Sequence, residues 1–532
     1  MRGASVLLAL AAGAAASLGD PVAVDVAARR ESSTASPELL SFTMDWFLPN
    51  TTCHGGGKCW ANASLLTADF ADLRLRSAAA HLSPAFLRLG GSAQDRASYK
   101  LDGSACPPNE FCLDRARWDA ILDFGVATGL RLVFGLNYHG NVVGGRWDPS
   151  AARQLLSYTA RHPHGHALAA VELGNEPDLM GTSRPTPSEL AAGVSTLNAL
   201  LHELWAGAAN DGRRPFIAGP DVAGSTTFAQ QFLEALNATN TTLEVLTYHG
   251  YCGGSGDPKV TTNVLVPSAM DSCASRASDY RALASAPGRT WQGEGEIAFG
   301  FCMDGVCNRW EDVLWYLDHT ALVAQQGVAV FARCGLLGGY YEVIDHTGAM
   351  RPNPSYWAAI LWKQTMGPVS LSAKQAPTVE SSALTQSTLR SYAHCGAGNI
   401  TVLLINLHPS TAAPVTVSAH VSSRPSATSA VSNAAAAVSE VFTLTSTALS
   451  SSEVFLNGVG RALELAHDGS LPDLSGRPAS TSGKGVMVTV PPQGVLFLRI
   501  PVSAQLGLES GEDDPAPQQG SDSSDGLLSV CA

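Results

Sequence analysis

A chain of 532 residues, 45% hydrophobic and 15% charged, carries enough apolar side chains for a large core and enough length for more than one domain, which excludes a wholly disordered protein. Its formal net charge is −13 and no basic stripe interrupts it, so nucleic acid is excluded as a partner and a heavily sulfated polyanion is disfavoured as an obligatory one. Arg213 and Arg214 form a small basic pair that reads as solvated loop.

Residues 1–19 show one basic residue, a short apolar run and a stretch of small residues, the order of a secretory signal peptide cleaved near residue 19. No later segment reaches the roughly 18 consecutive apolar residues that a membrane-spanning helix needs. Export agrees with the 11 cysteines, several of which close short loops: Cys53 with Cys59, Cys106 with Cys112, Cys252 with Cys273, and Cys302 with Cys307 are the pairs that spacing suggests. None has the paired C-x2-C spacing of a structural zinc site. Glycosylation sequons at Asn50, Asn62, Asn237, Asn240 and Asn399 point the same way.

The segment Val22 to Val26 (VAVDV) alternates like a strand. From 38 to 365, short apolar runs recur with longer mixed segments between them: 39–46, 86–91, 131–137, 169–176, 216–222, 245–251, 290–296 and 328–333. Helix-like stretches such as 188–205 separate them. Strands alternating with helices pair in parallel through right-handed crossovers, and eight such units predict an α/β fold, a (β/α)8 TIM barrel with its chemistry at the C-terminal strand ends. Residues 366–504 turn to Val-, Thr- and Ser-rich runs such as ITVLLINL from Ile400, which predict a β-sandwich that strand 21–27 joins. The Ala/Ser segment 424–439 reads as an insertion, and 505–532 as a disordered tail.

The stretch AVELGNEPDL, 170–179, ends a buried strand on a carboxylate, which is costly unless the charge is paired or used. In the barrel reading Glu176 ends strand four, and TWQGEGE (290–296) puts Glu294 at the end of strand seven, so two carboxyl groups face one pocket. Glycoside hydrolysis needs such a pair, a protonated acid for the leaving oxygen and an ionised partner on the other face of the sugar. Asn175 would hydrogen-bond the sugar 2-hydroxyl, and Pro177 stiffens the turn. A glutamate in this position also serves as a helix cap or surface ion pair, but the strand order, the second glutamate and the aromatics Trp291, Tyr248 and Tyr341 favour chemistry. Glu296 competes with Glu294 as nucleophile, and the turn at Gly295 redirects it. His249 either lines the pocket or is a satisfied structural histidine. The run HPHGH (162–166) is a metal cluster or, with its Pro and Gly, a surface loop.

These motifs in this order resemble the heparanase-like enzymes, family 79 of the glycoside hydrolases. The resemblance rests on SFTMD (41–45), SPAFLRLGGS (83–92), FGLN (134–137), VELGNEPD (171–178), GPDV (219–222), THE strand-six run TYHGY (247–251), WQGE (291–294) and GGYYEVID (338–345). LINLH (404–408), LNG (456–458) and LPDL (471–474) extend it into the C-terminal part. It implies a retaining β-glucuronidase that needs no cofactor or metal, with Glu176 as acid/base and Glu294 as nucleophile. Asp45, Ser92, Gly339 and Tyr341 fall where family members contact the glucuronate, Asn175 matches the Asn before the acid, and Gly300, Tyr248 and His249 are further substrate-binding candidates. Asp45 would accept sugar hydroxyls, while Gly-rich backbone and the Tyr341 hydroxyl would donate to the carboxylate. The family's Tyr-Gly-Gly appears here as Phe299-Gly300-Phe301, and its basic clusters and excised linker are absent, which favours an exo-acting enzyme on a glucuronic acid-containing glycan or glycoside. The alternatives are a heparanase-type endo-enzyme and an inactive glycan-binding protein on the same fold. The resemblance further implies a secreted or lysosomal protein, association with the extracellular matrix or a membrane periphery, and a bridge from Cys395 to Cys531 that leaves Cys334 as the free thiol.

Overall fold

The computed structural model describes residues 21–27, 33–179, 184–207, 213–284, 286, 288–347, 349–376, 388–420, 438–458, 460–482, 485–501 and 531. The expected signal peptide, the tail up to residue 530 and most of the Ala/Ser segment lie outside these residues.

Chain order begins with β1 (Val22–Ala27) and then eight strands: β2 (Leu40–Asp45), β3 (Phe86–Gly90), β4 (Arg131–Leu136), β5 (Leu168–Leu173), β6 (Phe216–Val222), β7 (Val245–Gly254), β8 (Thr290–Phe299) and β9 (Val330–Arg333). Each of the eight pairs in parallel with the next, and β9 closes onto β2 to complete the barrel. They are buried on both faces, as all six residues of β2 are, which is why they read in sequence as short continuous apolar runs. The helices between them are α1 (Leu73–Ala80), α2 (Arg115–Thr128), α3 (Ser150–Arg161), α4 (Pro187–Leu204), α5 (Thr226–Ala238), α6 (Pro258–Asn263), α7 (Pro267–Ala274), α8 (Arg276–Leu283), α9 (Trp310–Gln325) and α10 (Pro354–Thr365). Their ends follow local chemistry: α4 starts at a reciprocal Thr186–Glu189 capping box with Pro187 behind it, and α2 begins where Asp114 accepts from the Arg117 amide.

Inside the barrel, strand alternation stacks two unlike layers. The lower layer is apolar and contains Phe86, Val133, Ala170, Ala218, Val245, Trp291 and Val330. Two residues further along their strands, Arg88 and Glu172 replace the plug with charge.

The remaining strands are β10 (Val369–Ala376), β11 (Leu389–Gly396), β12 (Asn399–Asn406), β13 (Ala413–His420), β14 (Glu440–Thr445), β15 (Phe455–Leu456), β16 (Arg477–Pro478), β17 (Ser480–Ser482), β18 (Gly485–Val490) and β19 (Gly494–Pro501). The expected sandwich is built from one continuous curled sheet, in which β1 lies between β10, antiparallel to it, and β13, parallel to it. Val22, Val24 and Val26 point into a core formed with Leu371, Val402, Leu404, Val415, Leu496 and Leu498. The other face packs on the barrel through α9, where buried Asp318 accepts from Arg390 Nε at 2.7 Å and from the Tyr392 hydroxyl. Helix α9 is thus covered on nearly all sides, which accounts for its long apolar composition.

All four locally spaced cysteine pairs are disulfides, and Cys395 is bonded to Cys531 across 136 residues. Cys334 is free and buried.

Candidate active site

The loop after β5 is held at every residue. Gly174 turns the chain with φ of 76°, and Glu176 itself has φ of 46°, a left-handed conformation unusual for a non-glycine residue. The Asn175 amide donates to Asp95 Oδ2 at 3.0 Å and the Glu176 amide to the Asp221 carbonyl at 2.9 Å. Asp178 then accepts from the backbone amides of Ala223, Gly224 and Ser225 at 2.6–3.0 Å, where α5 begins. The loop therefore presents Glu176 from fixed backbone.

Beneath it lies a buried charge cluster centred on Arg88. Its Nε donates to Glu172 Oε2 at 2.8 Å, Nη2 to Asp221 Oδ2 at 2.8 Å and Asn175 Oδ1 at 3.0 Å, and Nη1 to Glu294 Oε2 at 2.7 Å. His249 Nδ1 is 2.9 Å from Glu176 Oε1. The Tyr251 hydroxyl donates to Glu294 Oε1 and lies 3.3 Å from Cys334 Sγ. One carboxylate oxygen of Glu176, one of Glu294 and a nitrogen of His249 lie within 4.8 Å of one another.

These contacts divide the carboxyl groups. Burial works to raise the Glu294 carboxyl, but the charges of His249 and Arg88 and the Tyr251 hydroxyl outweigh it and hold it below the usual carboxylate range. Asp45 is pushed up to about 8, by burial first and by the Glu294 charge second. Glu172 is pushed well up, again by burial, with Arg88 opposing and Asp221 assisting. One cluster thus contains carboxyl groups held low, Glu294 and Asp221, beside others pushed up.

The structure places the expected residues unevenly. Asp45 is 7% exposed and accepts from the Tyr341 hydroxyl at 3.1 Å. Gly91 makes room for it: φ is 93° there, and a Cβ would sit 1.9 Å from Asp45 Oδ1. Asn175 is buried with its Oδ1 fixed by Arg88, and Ser92 is exposed just beyond β3. Gly300 lies on an exposed turn beyond β8, with φ of 75° and Ser255 beside it.

Four expectations are corrected. Tyr248 does not face the pocket: alternation turns it outward, where its ring stacks on Tyr280 of α8 at 4.3 Å. Trp291 belongs to the lower plug, 4.5 Å from Phe86. His249 is completely buried and faces the two glutamates, so it offers no ring to a sugar. The Gly339 amide donates to the Cys59 carbonyl at 3.0 Å and is not available to a ligand carboxylate. Arg88, Asp221, Glu172 and Tyr251 were not anticipated. A charge inside the apolar run FLRLG was the available signal for Arg88, and the i, i+2 relation of His249 and Tyr251 was the signal for Tyr251.

As cation ligands, Glu176, His249 and Glu294 are already engaged by one another and by Arg88. A second group, Glu342, Asp345 and His346, is closed by the 2.8 Å contact of His346 Nδ1 with Glu342 Oε1. The three imidazoles of 162–166 have separate partners: His162 lies 3.4 Å from Asp119, His164 contacts Asp123 at 2.5 Å, and His166 the Pro163 carbonyl at 3.1 Å.

Residues 21–321 match glycosyl hydrolase family 79, N-terminal domain. Heparanase-like protein 3 of Arabidopsis thaliana is 28% identical over 421 residues, covering 73% of this chain and 74% of that protein. Baicalin-β-D-glucuronidase of Scutellaria baicalensis is 28% identical over 400 residues, 67% of this chain and 72% of that one. The structure of a 4-O-α-L-rhamnosyl-β-D-glucuronidase from Fusarium oxysporum shares the fold with a TM-score of 0.62 at 15% identity, covering 90% of this chain and 100% of that chain.

Proposed function

The chain belongs to glycosyl hydrolase family 79, and on that premise we propose that it is a retaining, exo-acting β-glucuronidase with Glu176 as acid/base and Glu294 as nucleophile. The observation that carries the reading is the close approach of these two carboxyl groups, with oxygens within 4.8 Å. Retaining glycosidases hold the pair about 5–5.5 Å apart, whereas inverting enzymes leave about 6.5–9.5 Å for a water. Ionised Glu294 attacks C1 while Glu176 gives its proton to the leaving oxygen, and a covalent glycosyl-enzyme results. Glu176 then takes a proton from the water that attacks C1, and glucuronic acid leaves with its β configuration kept. Arg88 fixes the Asn175 amide by its oxygen, so the N–H side is the donor for the sugar 2-hydroxyl.

The exo reading draws support from the rim. Phe299, 57% exposed at the end of the strand that carries Glu294, and Val143, 67% exposed beyond β4, offer apolar contact. The name of the Scutellaria relative, a glucuronidase acting on baicalin, agrees with a small glucuronide. Five disulfides fit an oxidising compartment, and secretion follows in the same reading.

The test is an aryl β-glucuronide beside unsulfated and sulfated heparan chains. Monosaccharide release with the β-anomer formed first in proton NMR is the expected result. An α-anomer first removes the retaining mechanism, and mid-chain fragments replace exo with endo action.

A further inference from the structure

Among the described residues, His249 is the one fully buried ionisable group that lies against both proposed reacting carboxyl groups. Nδ1 lies 2.9 Å from Glu176 Oε1 and 3.8 Å from Glu294 Oε2, and Nε2 lies 3.5 Å from Asp221 Oδ1. At that length the Asp221 contact has the spacing of an ion pair and is longer than a close hydrogen bond. The charged and titratable groups around the ring are Glu176 after β5, Asp221 on β6, Glu294 on β8, Asp45 on β2 and Arg88 on β3. Four carboxyl groups thus surround it against one guanidinium.

We propose that His249 is a positioning residue, an imidazolium bridge between Glu176 and Glu294 anchored by Asp221, whose charge serves both halves of the reaction. In the first half the bond from C1 to the leaving oxygen breaks, a Glu294 oxygen bonds to C1, and the Glu176 proton passes to the leaving oxygen. Negative charge disappears from Glu294 and appears on Glu176. In the second half the water oxygen bonds to C1, one water proton goes to Glu176, and the Glu294 ester bond breaks. The charge returns to Glu294. A cation seated against both groups meets the anion in either place with no reorganisation, which is the condition under which electrostatic stabilisation is most effective. Arg88 does not supply this by itself, because its hydrogen bonds go to Glu172, Asn175, Asp221 and Glu294 and none to Glu176. Burial favours the neutral ring, but the Glu294 charge and the contacts with Asp221 and Glu176 hold its proton well above the usual histidine range, with Arg88 opposing.

The bridge rests on the assignment of Glu176 as acid/base, and the experiment separates the two. The pH dependence of kcat for phenyl β-glucuronide is measured on the whole protein, on His249→Gln and on Asp221→Asn. In His249→Gln a cation beside Glu176 is lost, so the alkaline limb moves up by about one pH unit and kcat falls about 30-fold with KM within about threefold. In Asp221→Asn an anion of the same cluster is lost, which favours proton loss, and the alkaline limb moves down by about one unit. Limbs that stay in place, or move in the same direction in both variants, overturn the bridge, since loosened packing gives no opposed shifts. Should Asp221→Asn not fold for want of its Arg88 ion pair, the direction of the His249→Gln shift decides. Glu176→Ala is the control on the premise, measured with 2,4-dinitrophenyl β-glucuronide, whose leaving group departs without a proton: azide restores its turnover by forming a β-glucuronyl azide if Glu176 is the acid/base, and a variant not restored removes the acid/base assignment instead.

Discussion

Glu294 and Glu296 stand two residues apart on β8, and each meets an arginine, yet the two clusters differ in kind. Around Arg88, Glu172 and Asp221 are sealed at 1% exposure while the Glu294 side chain keeps 14% at the cleft. Around Arg333 nothing is open: Glu296 lies 3.0 Å and Asp312 2.6 Å from Nη2, all three with no exposure. Arg333 also donates to the carbonyls of Cys307 at 3.1 Å and Cys334 at 3.0 Å, and the Ser355 hydroxyl closes on Asp312. Burial pushes the Glu296 carboxyl well up despite Arg333, with Asp312 adding to the rise, whereas Glu294 is held down. Several carboxyl groups on one arginine are therefore not a mark of chemistry. Access to the cleft, and neighbours that keep the charge, distinguish the two.

The strongest test of this contrast is substitution at the two glutamates. Glu294→Gln is expected to lower kcat by about 10⁴-fold or more with the fold intact, because an amide keeps the shape and loses the proposed nucleophile. Glu296→Gln should keep most of its turnover, and a dead Glu296 variant with a live Glu294 variant would reverse the assignment. On the structural side, Arg333→Met strands two buried carboxyl groups and is expected to cost about 3–5 kcal/mol, read as a lower thermal midpoint, with activity per folded molecule within about threefold. A variant as stable as the parent removes the bracing role. Next in size, Tyr251→Phe deletes a hydrogen bond to an ionised carboxylate, worth about 1.5–3 kcal/mol, so kcat should fall about 10–100-fold. The same change at Tyr248 should leave it within about twofold. Smallest for each step of one pH unit is the pH dependence of stability. Asp45, at about 8 in the fold against 3.8 as its ordinary value, binds more proton folded than unfolded between those limits, so stability falls as pH rises through the window, by at most about 1.4 kcal/mol per unit. Glu294, held low, acts oppositely, losing its contribution as pH falls into the acid range. Thermal midpoints from pH 4 to 8 should decline toward the alkaline end, less steeply in Asp45→Asn, and an unchanged slope in that variant excludes Asp45 as the source.

The barrel was legible because each buried parallel strand writes itself as an apolar run, and the eight runs coincide with β2 to β9. The two glutamates were legible because a carboxylate closing an apolar run is conspicuous, although β8 continues past Glu294 to Phe299. What surrounds them was harder. Period two along β8 from inward Trp291 puts Gly293 inside and Glu294 outside, but the ladder skips a residue: Gln292 pairs with Tyr248, and Glu294 with His249. That irregularity brings Glu294 to the cleft, and the glycines of WQGEGE were its only written sign. On β7 no such break separates His249 from Tyr251, so simple alternation would have preferred Tyr251 over Tyr248. Gly339 was misjudged for another reason, since no local pattern tells that an amide is claimed by Cys59 from 280 residues earlier.

The seat of β1 inside the curled sheet sets an order of events during synthesis. The first strand to leave the ribosome must wait for Val369–Ala376 and Ala413–His420, its two neighbours, while every strand of the barrel emerges in between. The catalytic half can close from consecutive pieces, but the sheet is completed only by joining the beginning of the chain to its end. Its covalent clasp comes last, when Cys531 reaches Cys395. A chain cut short between Cys395 and that cysteine keeps every barrel strand and an unpaired thiol at Cys395, so such an unfinished copy differs from a finished one by a chemical mark as well as by length.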